Sequence, residues 1–354
     1  MKISPLPPLP KLRVDSEYLG LISEIDRKLA KIDGCCLLDS NGLFTELLNI
    51  REAAFSIDMD YPEKSPIEFD SYFLNLAESK DKIDRYNKSL LLGQKLLKDV
   101  SSVSHIIKSI HKELFEIENA GAGLFRKRQV WIRDSAKEKN NSVYIAPDDE
   151  EIIPLMNDLE VYLAMDISYP AVINAALIHA QFEMIHPFES RNGLVGRILI
   201  HLHFLWKKRL ANSVLQISKA LNKHKLEYFD RLEDLEKNNN WNGWIKFFLR
   251  MIDESATETL WLFNKIHQQK EKDLNLIIEK DFASTASICM LNFITRNPVF
   301  TISQITEKLG YTKQTINLLI KRFVDEKLIE EISGKKRYRT YTYKTIYDVL
   351  TQGQ

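Results

Sequence analysis

The spacing of apolar residues predicts that most of this chain is helical. From Leu19 to Ala30, apolar residues recur every three or four positions at Leu19, Ile22, Ile25 and Leu29, as on one face of an α-helix. The same spacing predicts further helices, at residues 43–54, 151–164, 170–185, 196–208, 218–236 and 241–274. The hydrophobic pattern therefore favours an all-α fold.

A short segment interrupts this helical pattern. The run QVWIRD from Gln129, the polar residues 135–142 and the run VYIAP from Val143 are typical of two strands and the turn between them. We expect a β-hairpin on an otherwise helical body.

The C-terminal residues show a different pattern of short elements. A helix at 283–296 and the extended segment PVFT are followed by a helix for which Gly310 is the expected C-cap. Thr312 is a good N-cap for the next helix, and a hairpin with Gly334 in its turn follows. This order of elements predicts a winged helix.

Length and composition set broader limits. The 354 residues are enough for two or three domains, and we expect these at residues 1–100, 101–270 and 271–354. The 44% hydrophobic and 28% charged residues exclude a disordered or membrane-embedded chain. The 49 basic residues equal the 49 acidic ones, so no overall charge attracts nucleic acid or an anionic membrane.

Cysteine content and the N-terminus bear on localisation. The cysteines Cys35, Cys36 and Cys289 show no metal-ligand spacing, and the adjacent pair does not easily form a disulfide. A reducing compartment is the simpler interpretation. The N-terminal residues lack the apolar region of a signal peptide, and no run reaches membrane-spanning length. We therefore expect a cytoplasmic protein without a membrane partner.

The segment QFEMIHPFESRNGLVGR, residues 181–197, carries the clearest chemical signal. Pro187 interrupts a helical pattern, and a second apolar run begins after the turn that contains Arg191, Asn192 and Gly193. Such a turn leads to a helix N-terminus, where unpaired backbone N–H groups bind anions. His186 precedes the turn and can act as a general base near neutral pH. The segment predicts a base beside a phosphate site.

These residues resemble the signature of the Fic family, H-P-F-x-D/E-G-N-G-R-x-x-R. The matching residues are His186, Pro187, Phe188, Asn192, Gly193 and Arg197. Three positions differ, because Ser190 stands at the metal-binding acid, Arg191 at a glycine and Leu194 at the first arginine. The resemblance covers roughly residues 5–260 and implies a helical Fic core with a small β-hairpin flap, followed here by the winged helix.

The resemblance also implies an activity, the transfer of AMP from ATP to a hydroxyl side chain of a target protein. His186 would be the catalytic base. The implied nucleotide-binding residues are Asn192, Gly193, Gly196, Arg197 and Tyr228. Family members use Mg²⁺ on the phosphates, but with Ser190 at the acid position the metal ligands of this chain stay unknown. Tyr228 is equally compatible with core packing. A homodimer is a further expectation from the family.

Longer members of the family carry an inhibitory helix whose glutamate pairs with the second arginine of the signature. Ser56 matches the serine of that helix, and Asp60 stands at the glutamate. Aspartate is one methylene shorter, so a bidentate pair with Arg197 requires closer approach of the helices or is lost. In the flap, the strand Val143, Tyr144 and Ile145 would align the target protein.

Two interpretations of the degenerate signature stay open. In the first, the protein is a nucleotidyltransferase in which Arg191 either blocks phosphate or supplies the charge that Leu194 lacks, and Glu189 is a solvated charge or a replacement metal ligand. In the second, it is an inactive nucleotide sensor or scaffold whose winged helix binds DNA. The candidate DNA-binding residues, which also suit a solvated surface, are Lys313, Asn317, Lys335, Lys336 and Arg337.

Overall fold

The computed structural model describes residues 16–39, 42–60, 69–98, 102–115, 121–133, 143–164, 169–335 and 337–351. Helices make up most of these residues, which confirms the predicted all-α class. The helices are α1 Ser16–Leu38, α2 Leu43–Asp60, α3 Phe69–Phe73, α4 Ala77–Leu96, α5 Val103–Glu113, α6 Asp149–Ala164, α7 Ala171–Ile185, α8 Asn192–Trp206, α9 Ile217–Lys223, α10 Lys225–Asn238, α11 Trp241–Glu279, α12 Thr285–Arg296, α13 Ile302–Leu309, α14 Lys313–Asp325 and α15 Lys344–Thr351. None of them is both long enough and apolar enough to cross a membrane.

The described strands form two small antiparallel sheets. The strands are β1 Trp131–Arg133, β2 Val143–Ile145, β3 Val299–Thr301, β4 Glu330–Glu331 and β5 Thr340–Thr342. β1 pairs with β2 with Ile132 opposite Tyr144, which is the predicted hairpin. The other sheet has the order β3-β5-β4 and lies among the C-terminal helices.

Helices α7 and α8 form the centre of the core. Every residue of α7 except Glu183 is buried, and α8 is buried from Asn192 to Phe204 apart from Gly193. The two helices pack against each other, α11 packs along α7, and α2 packs on α4, α8 and α9. A helix that is apolar on all sides must be enclosed by others. The segment between α7 and α8 is therefore held by buried elements on both sides.

Two predicted helix boundaries are wrong. The helix expected from Gly196 begins earlier, at Asn192, because packing against neighbouring elements extends it back to the preceding turn. The single helix expected at 218–236 is two helices, since His224 adopts φ −107° and ψ 30° between α9 and α10. One difference is where a helix starts and the other is where a helix breaks. The spacing of apolar residues does not specify either of these.

The C-terminal elements follow the predicted order and use the predicted caps. Gly310 is left-handed at φ 70°, and Thr312 accepts a hydrogen bond from the Thr315 backbone. Thr301, which was not among the predicted caps, forms a capping box with Gln304. Gly334 also has a positive φ, of 62°, between β4 and β5. Helix α11 continues past the expected boundary at 270, and the boundary at 100 lies outside the described residues. The domain division and the winged-helix assignment stay predictions.

Helix α2 is attached to the C-terminal helix by a buried arginine. Arg51 is fully buried and donates to the Leu350 carbonyl, to Gln216 Oε1 and to Glu258 Oε1, each at 2.8 Å. A buried guanidinium keeps its charge, so it needs this full set of acceptors. On the next position of α2, Glu52 accepts hydrogen bonds from Ser218. These contacts fix α2 on the core.

We expect Arg51→Ala to lower the free energy of unfolding by about 3 kcal/mol, because the Leu350 carbonyl and the buried Gln216 Oε1 lose their charged donor, while Glu258 keeps Lys219. Urea unfolding measures this loss. The matched control is Arg27→Ala on α1, where the arginine pairs with Glu24 at the surface, and its unfolding midpoint should stay that of the natural chain. Equal midpoints for both variants would contradict the structural role of Arg51.

Candidate functional site

The turn between α7 and α8 has two residues in the left-handed region. α7 ends at His186, whose φ is 47° and whose N–H donates to the Phe182 carbonyl at 3.0 Å. Pro187 then cannot continue the helical hydrogen bonds. Arg191, with φ 60°, directly precedes the first residue of α8. This conformation favours glycine, so an arginine here carries a small steric cost.

Asn192 and His111 fix the middle of this turn. The Asn192 side chain accepts from the Phe188 N–H and donates to the Phe188 carbonyl, both at 2.9 Å. His111 of α5 stacks on Phe188 with ring centroids 3.7 Å apart. Its Nδ1 accepts from the Gly123 N–H, so Nε2 carries the proton that points to the Ser190 carbonyl at 3.2 Å. Burial lowers the His111 pKa to about 4, which keeps the ring neutral.

Arg126 connects the turn to the hairpin. Its Nε donates to the His186 carbonyl at 2.9 Å, and its Nη2 donates to the Pro147 carbonyl at 2.6 Å. The Arg126 backbone N–H also donates to the Pro187 carbonyl at 2.9 Å. One buried guanidinium therefore holds the residue after α7 and the segment after β2 at a fixed distance.

Arg197 and two residues of α2 form a buried charged group. Arg197 Nη2 lies 2.6 Å from Asp60 Oδ1 and donates to the Ser56 carbonyl at 2.8 Å, while Nε donates to Ser56 Oγ at 2.7 Å. Burial alone would lower the Arg197 pKa, but the Asp60 carboxylate raises it above its usual value. The ion pair is not bidentate: it uses one carboxylate oxygen of Asp60, and Ser56 is the second acceptor.

The Asp60 carboxylate lies against the first turn of α8. A Cβ atom built on Gly193 would be 2.5 Å from Asp60 Oδ1 and 2.8 Å from Arg197 Nη1, so only glycine leaves room for both groups. The N-terminus of a helix and a guanidinium both attract anions. We call the place beside Gly193 and Arg197 the anion site. The Asp60 carboxylate occupies it.

His186 has the protonation state of a base. Its Nδ1 is enclosed and has no hydrogen-bond partner among the described residues. Burial, and then the positive charge of Arg126, lower the His186 pKa to about 4. The imidazole is therefore neutral at pH 7 and can accept a proton.

The three departures from the family signature have different structural outcomes. Arg191 donates to the Leu114 carbonyl, and its guanidinium lies 3.9 Å from the centre of the Phe115 ring. It is held on the α5 side and does not replace the charge missing at Leu194, which is itself buried. Ser190 is exposed.

The described residues contain no group of three or more His, Cys, Asp or Glu side chains placed to hold a metal ion. Glu189, the acid next to Ser190, is exposed and pairs with Arg128 at 2.9 Å. The side chains of Ser190 and Glu189 therefore do not fit the Mg²⁺ site that the family resemblance implies.

The other predicted nucleotide-binding residues are buried, namely Asn192, Gly196 and Tyr228. Tyr228 is 3% exposed, and its hydroxyl is 3.0 Å from His179 Nε2. A Cβ atom on Gly196 would be 2.4 Å from Glu183 Oε1. Asn192 already uses its amide on Phe188. A nucleotide contact for these three residues stays a prediction.

The flap and C-terminal candidates are placed as follows. Val143, Tyr144 and Ile145 form β2, and Ile145 is exposed. Lys313 and Asn317 are exposed on α14, and Lys335 and Arg337 are exposed between β4 and β5. Lys336 lies outside the described residues. Their contact with DNA stays a prediction.

Sequence reasoning missed three residues that shape the site, namely His111, Arg126 and Glu183. Each acts through contacts with residues distant in the sequence or across a helix pair, so no local motif indicates its role. The signal that could have found Glu183 is its position one turn before His186 on a helix that is otherwise almost entirely apolar.

We expect Asn192→Ala to lower the free energy of unfolding by about 2 kcal/mol, because both backbone groups of Phe188 lose their partner in a buried turn. Thermal and urea unfolding measure the loss. Asn242→Ala, at an exposed position near the start of α11, should change stability by less than about 0.5 kcal/mol. A loss no larger than that of the control would show that the turn does not depend on Asn192.

The Fic/DOC family model matches residues 101–204. A Fic family protein from Desulfovibrio desulfuricans G20 has a similar solved structure, with a TM-score of 0.61 and 16% sequence identity over 94% of this chain and 97% of that one. A Fic domain containing signaling protein from Bacteroides thetaiotaomicron has a TM-score of 0.51 and 17% identity, over 69% and 96% of the two chains.

A fragment of Fic-1 from C. elegans has a TM-score of 0.50 at 12% identity, over 70% of this chain and 72% of that one. At these identities the solved structures show a common fold. The matched residues 101–204 include α7, the turn and most of α8, which carry His186, Gly193 and Arg197, whereas Ser56 and Asp60 of α2 lie outside the match. Residues 101–204 are therefore a Fic/DOC domain.

Proposed function

We propose that this protein transfers AMP from ATP to a hydroxyl side chain of a target protein, and that helix α2 inhibits it. The observation that carries the proposal is the Asp60 carboxylate, held by Arg197 at 2.6 Å beside the N-terminus of α8. A carboxylate and a phosphate oxygen use the same donors. ATP therefore competes with Asp60 for the anion site.

The reaction uses His186 as the base. The target hydroxyl gives its proton to the neutral imidazole, and its oxygen forms a bond to the α-phosphorus of ATP. The bond from that phosphorus to the oxygen bridging to the β-phosphate breaks, and pyrophosphate leaves with the electron pair. Positioning and charge neutralisation supply most of the catalysis in such transfers. Arg197 and the α8 N-terminus are the cationic groups that the site offers.

The hairpin gives the target protein a place to bind. Among the described strands, β2 pairs only with β1, which leaves its other edge available for a segment of the target by strand addition. Arg126 joins Pro147, two residues after β2, to the His186 carbonyl. The bound segment would thus be held at a fixed position relative to the base.

Two losses from the family signature make this a slow transferase. Ser190 supplies no carboxylate for Mg²⁺, so Arg197 and the α8 N-terminus have to neutralise the phosphates. The loss of the metal acid and of the first arginine would each cost about 3 kcal/mol of transition-state stabilisation, as at other sites that stabilise developing anions. The remaining rate depends on Arg197, which Asp60 occupies.

The test is transfer of label from α-³²P-ATP to the protein itself and to a lysate, for the natural chain, for Asp60→Ala and for Asp60→Ala with His186→Asn. Asparagine tolerates the left-handed conformation of residue 186 but is not a base at neutral pH. We expect label with Asp60→Ala and at least about a hundredfold less when His186 is also replaced.

Asp58→Ala on the same helix is the matched control and should behave like the natural chain. Equal labelling with and without His186 would remove it from the catalytic role.

Absence of label from every variant, together with calorimetric ATP binding to Asp60→Ala, would favour a nucleotide sensor. Exposed Ser190 and buried Leu194 are the observations behind that second candidate. DNA binding through α14 and the β4–β5 hairpin belongs to it and is testable by electrophoretic mobility shift with Lys313→Ala.

Restoring the family pattern tests the departures directly. We expect Ser190→Asp, Arg191→Gly and Leu194→Arg together to increase AMP transfer at least about a hundredfold over the natural sequence, with each single change contributing far less. Metal ligand, backbone and guanidinium neutralise one charge distribution, so their effects are not additive. Labelled-ATP autotransfer of the triple and single variants is the measurement.

Two other results for the triple variant would change the interpretation. If the natural sequence transfers AMP as fast as the triple variant, the three departures cost nothing and the slow-transferase proposal is wrong. If the triple variant binds ATP and Mg²⁺ without transfer, the defect lies in the hairpin or in α2.

A further inference from the structure

Glu183 is a carboxyl group inside the site that the reaction above does not use. It lies on α7 one turn before His186, and it is the residue of that helix that is not fully buried. Its Oε1 is enclosed and has no hydrogen-bond partner among the described residues. The same oxygen would be 2.4 Å from a Cβ atom on Gly196, so the carboxyl faces α8 next to Arg197.

The nearest charges belong to the anion site. Arg197 follows Gly196 on α8, and Asp60 approaches from α2. Burial raises the Glu183 pKa to about 8, the positive charge of Arg197 opposes this, and the negative charge of Asp60 adds to it. At neutral pH most Glu183 side chains are therefore protonated and uncharged. The charge of Arg197 is balanced by Asp60.

Removing Asp60 changes this balance. Glu183 then loses a negatively charged neighbour that disfavours its ionisation, while the attraction of Arg197 for a carboxylate is unopposed. Ionised Glu183 would neutralise Arg197 from the α7 side. It would then compete with a phosphate for the charge of Arg197.

We propose that Glu183 is a second counter-ion of Arg197, and that the anion site accepts a nucleotide phosphate only while Glu183 holds its proton. The proposal rests on the ATP binding proposed above and adds a determinant of its affinity. Glu183 would be a positioning residue for the Arg197 charge and makes no contact with the reacting atoms.

The other titratable groups around Glu183 do not change charge in the relevant range. Burial lowers the pKa of His179 to about 3 and that of His186 to about 4, so both rings stay neutral. Burial raises the pKa of Tyr228 and of Tyr86 above the usual value of a phenol. Between about pH 6.5 and pH 9, a change in binding that depends on residue 183 reports the proton on Glu183.

The test is calorimetric titration of ATP into Asp60→Ala and into Asp60→Ala with Glu183→Gln, at about pH 6.5 and pH 9. Glutamine has the shape of the protonated acid and cannot ionise. The Glu183 pKa of about 8 holds with Asp60 in place, and removing Asp60 lowers it, so at pH 9 at most roughly a tenth of the Glu183 side chains keep the proton. We expect the glutamine variant to bind ATP at least about tenfold more tightly at pH 9, and by a smaller factor at about pH 6.5, where more Glu183 is protonated.

The comparison between the two variants at one pH cancels the titration of ATP itself. Asp60→Ala with Glu189→Gln is the matched control, since Glu189 is an exposed acid of the same turn that pairs with Arg128. It should bind ATP like Asp60→Ala at both pH values. Thermal unfolding confirms that all variants are folded, and Asp60→Asn replaces Asp60→Ala if the alanine variant is not.

The outcomes separate this inference from the function on which it rests. If the variants with and without Glu183→Gln bind ATP equally at both pH values, nucleotide binding stands and the role of Glu183 is wrong. If the glutamine variant binds no ATP at either pH, the proposed function fails and this inference fails with it.

Discussion

The structure around the site depends on one buried charge, the guanidinium of Arg197. An arginine keeps its proton in proteins, and Arg197 is 2% exposed, so its charge has to be balanced inside the molecule. Asp60 and Ser56 of α2 supply that balance. Because the acceptors come from a different element, α2 must lie on α8 whenever no other anion is bound. The proposed inhibition by α2 would follow from burying this charge.

The main contacts that shape the turn before α8 come from Asn192 and Arg126, not from the side chains of Ser190 and Leu194. Asn192 holds both backbone groups of Phe188, and Arg126 holds the carbonyl of His186. Ser190 contributes its backbone carbonyl, and the Arg191 side chain turns to α5. Substitution at these positions therefore changes the charge of the site without removing the contacts that form the turn.

Helix α2 is fixed at two separate points along its length. Arg51 connects it to the carbonyl of Leu350 near the C-terminal end of the described chain, and Asp60 connects its last residue to Arg197. Nine residues separate these points, which is about 13 Å along a helix. The pair at Asp60 can open by fraying of the last turns of α2, while the buried contacts of Arg51 and Glu52 stay in place. A helix end opens at lower cost than a whole packed helix.

The sequence by itself determined the elements that local physics specifies. Apolar spacing predicted α1 and α11. Gly310 and Thr312 marked the caps of α13 and α14, and Gly334 marked the turn between β4 and β5, because such preferences act within a few residues. The motif around His186 predicted the anion site. Tertiary structure decided the start of α8, the break at His224, the pairing of Asp60 and the direction of Arg191. It also decided the protonation of Glu183 and His186, since burial and charge depend on neighbours from distant parts of the chain, which local spacing does not encode.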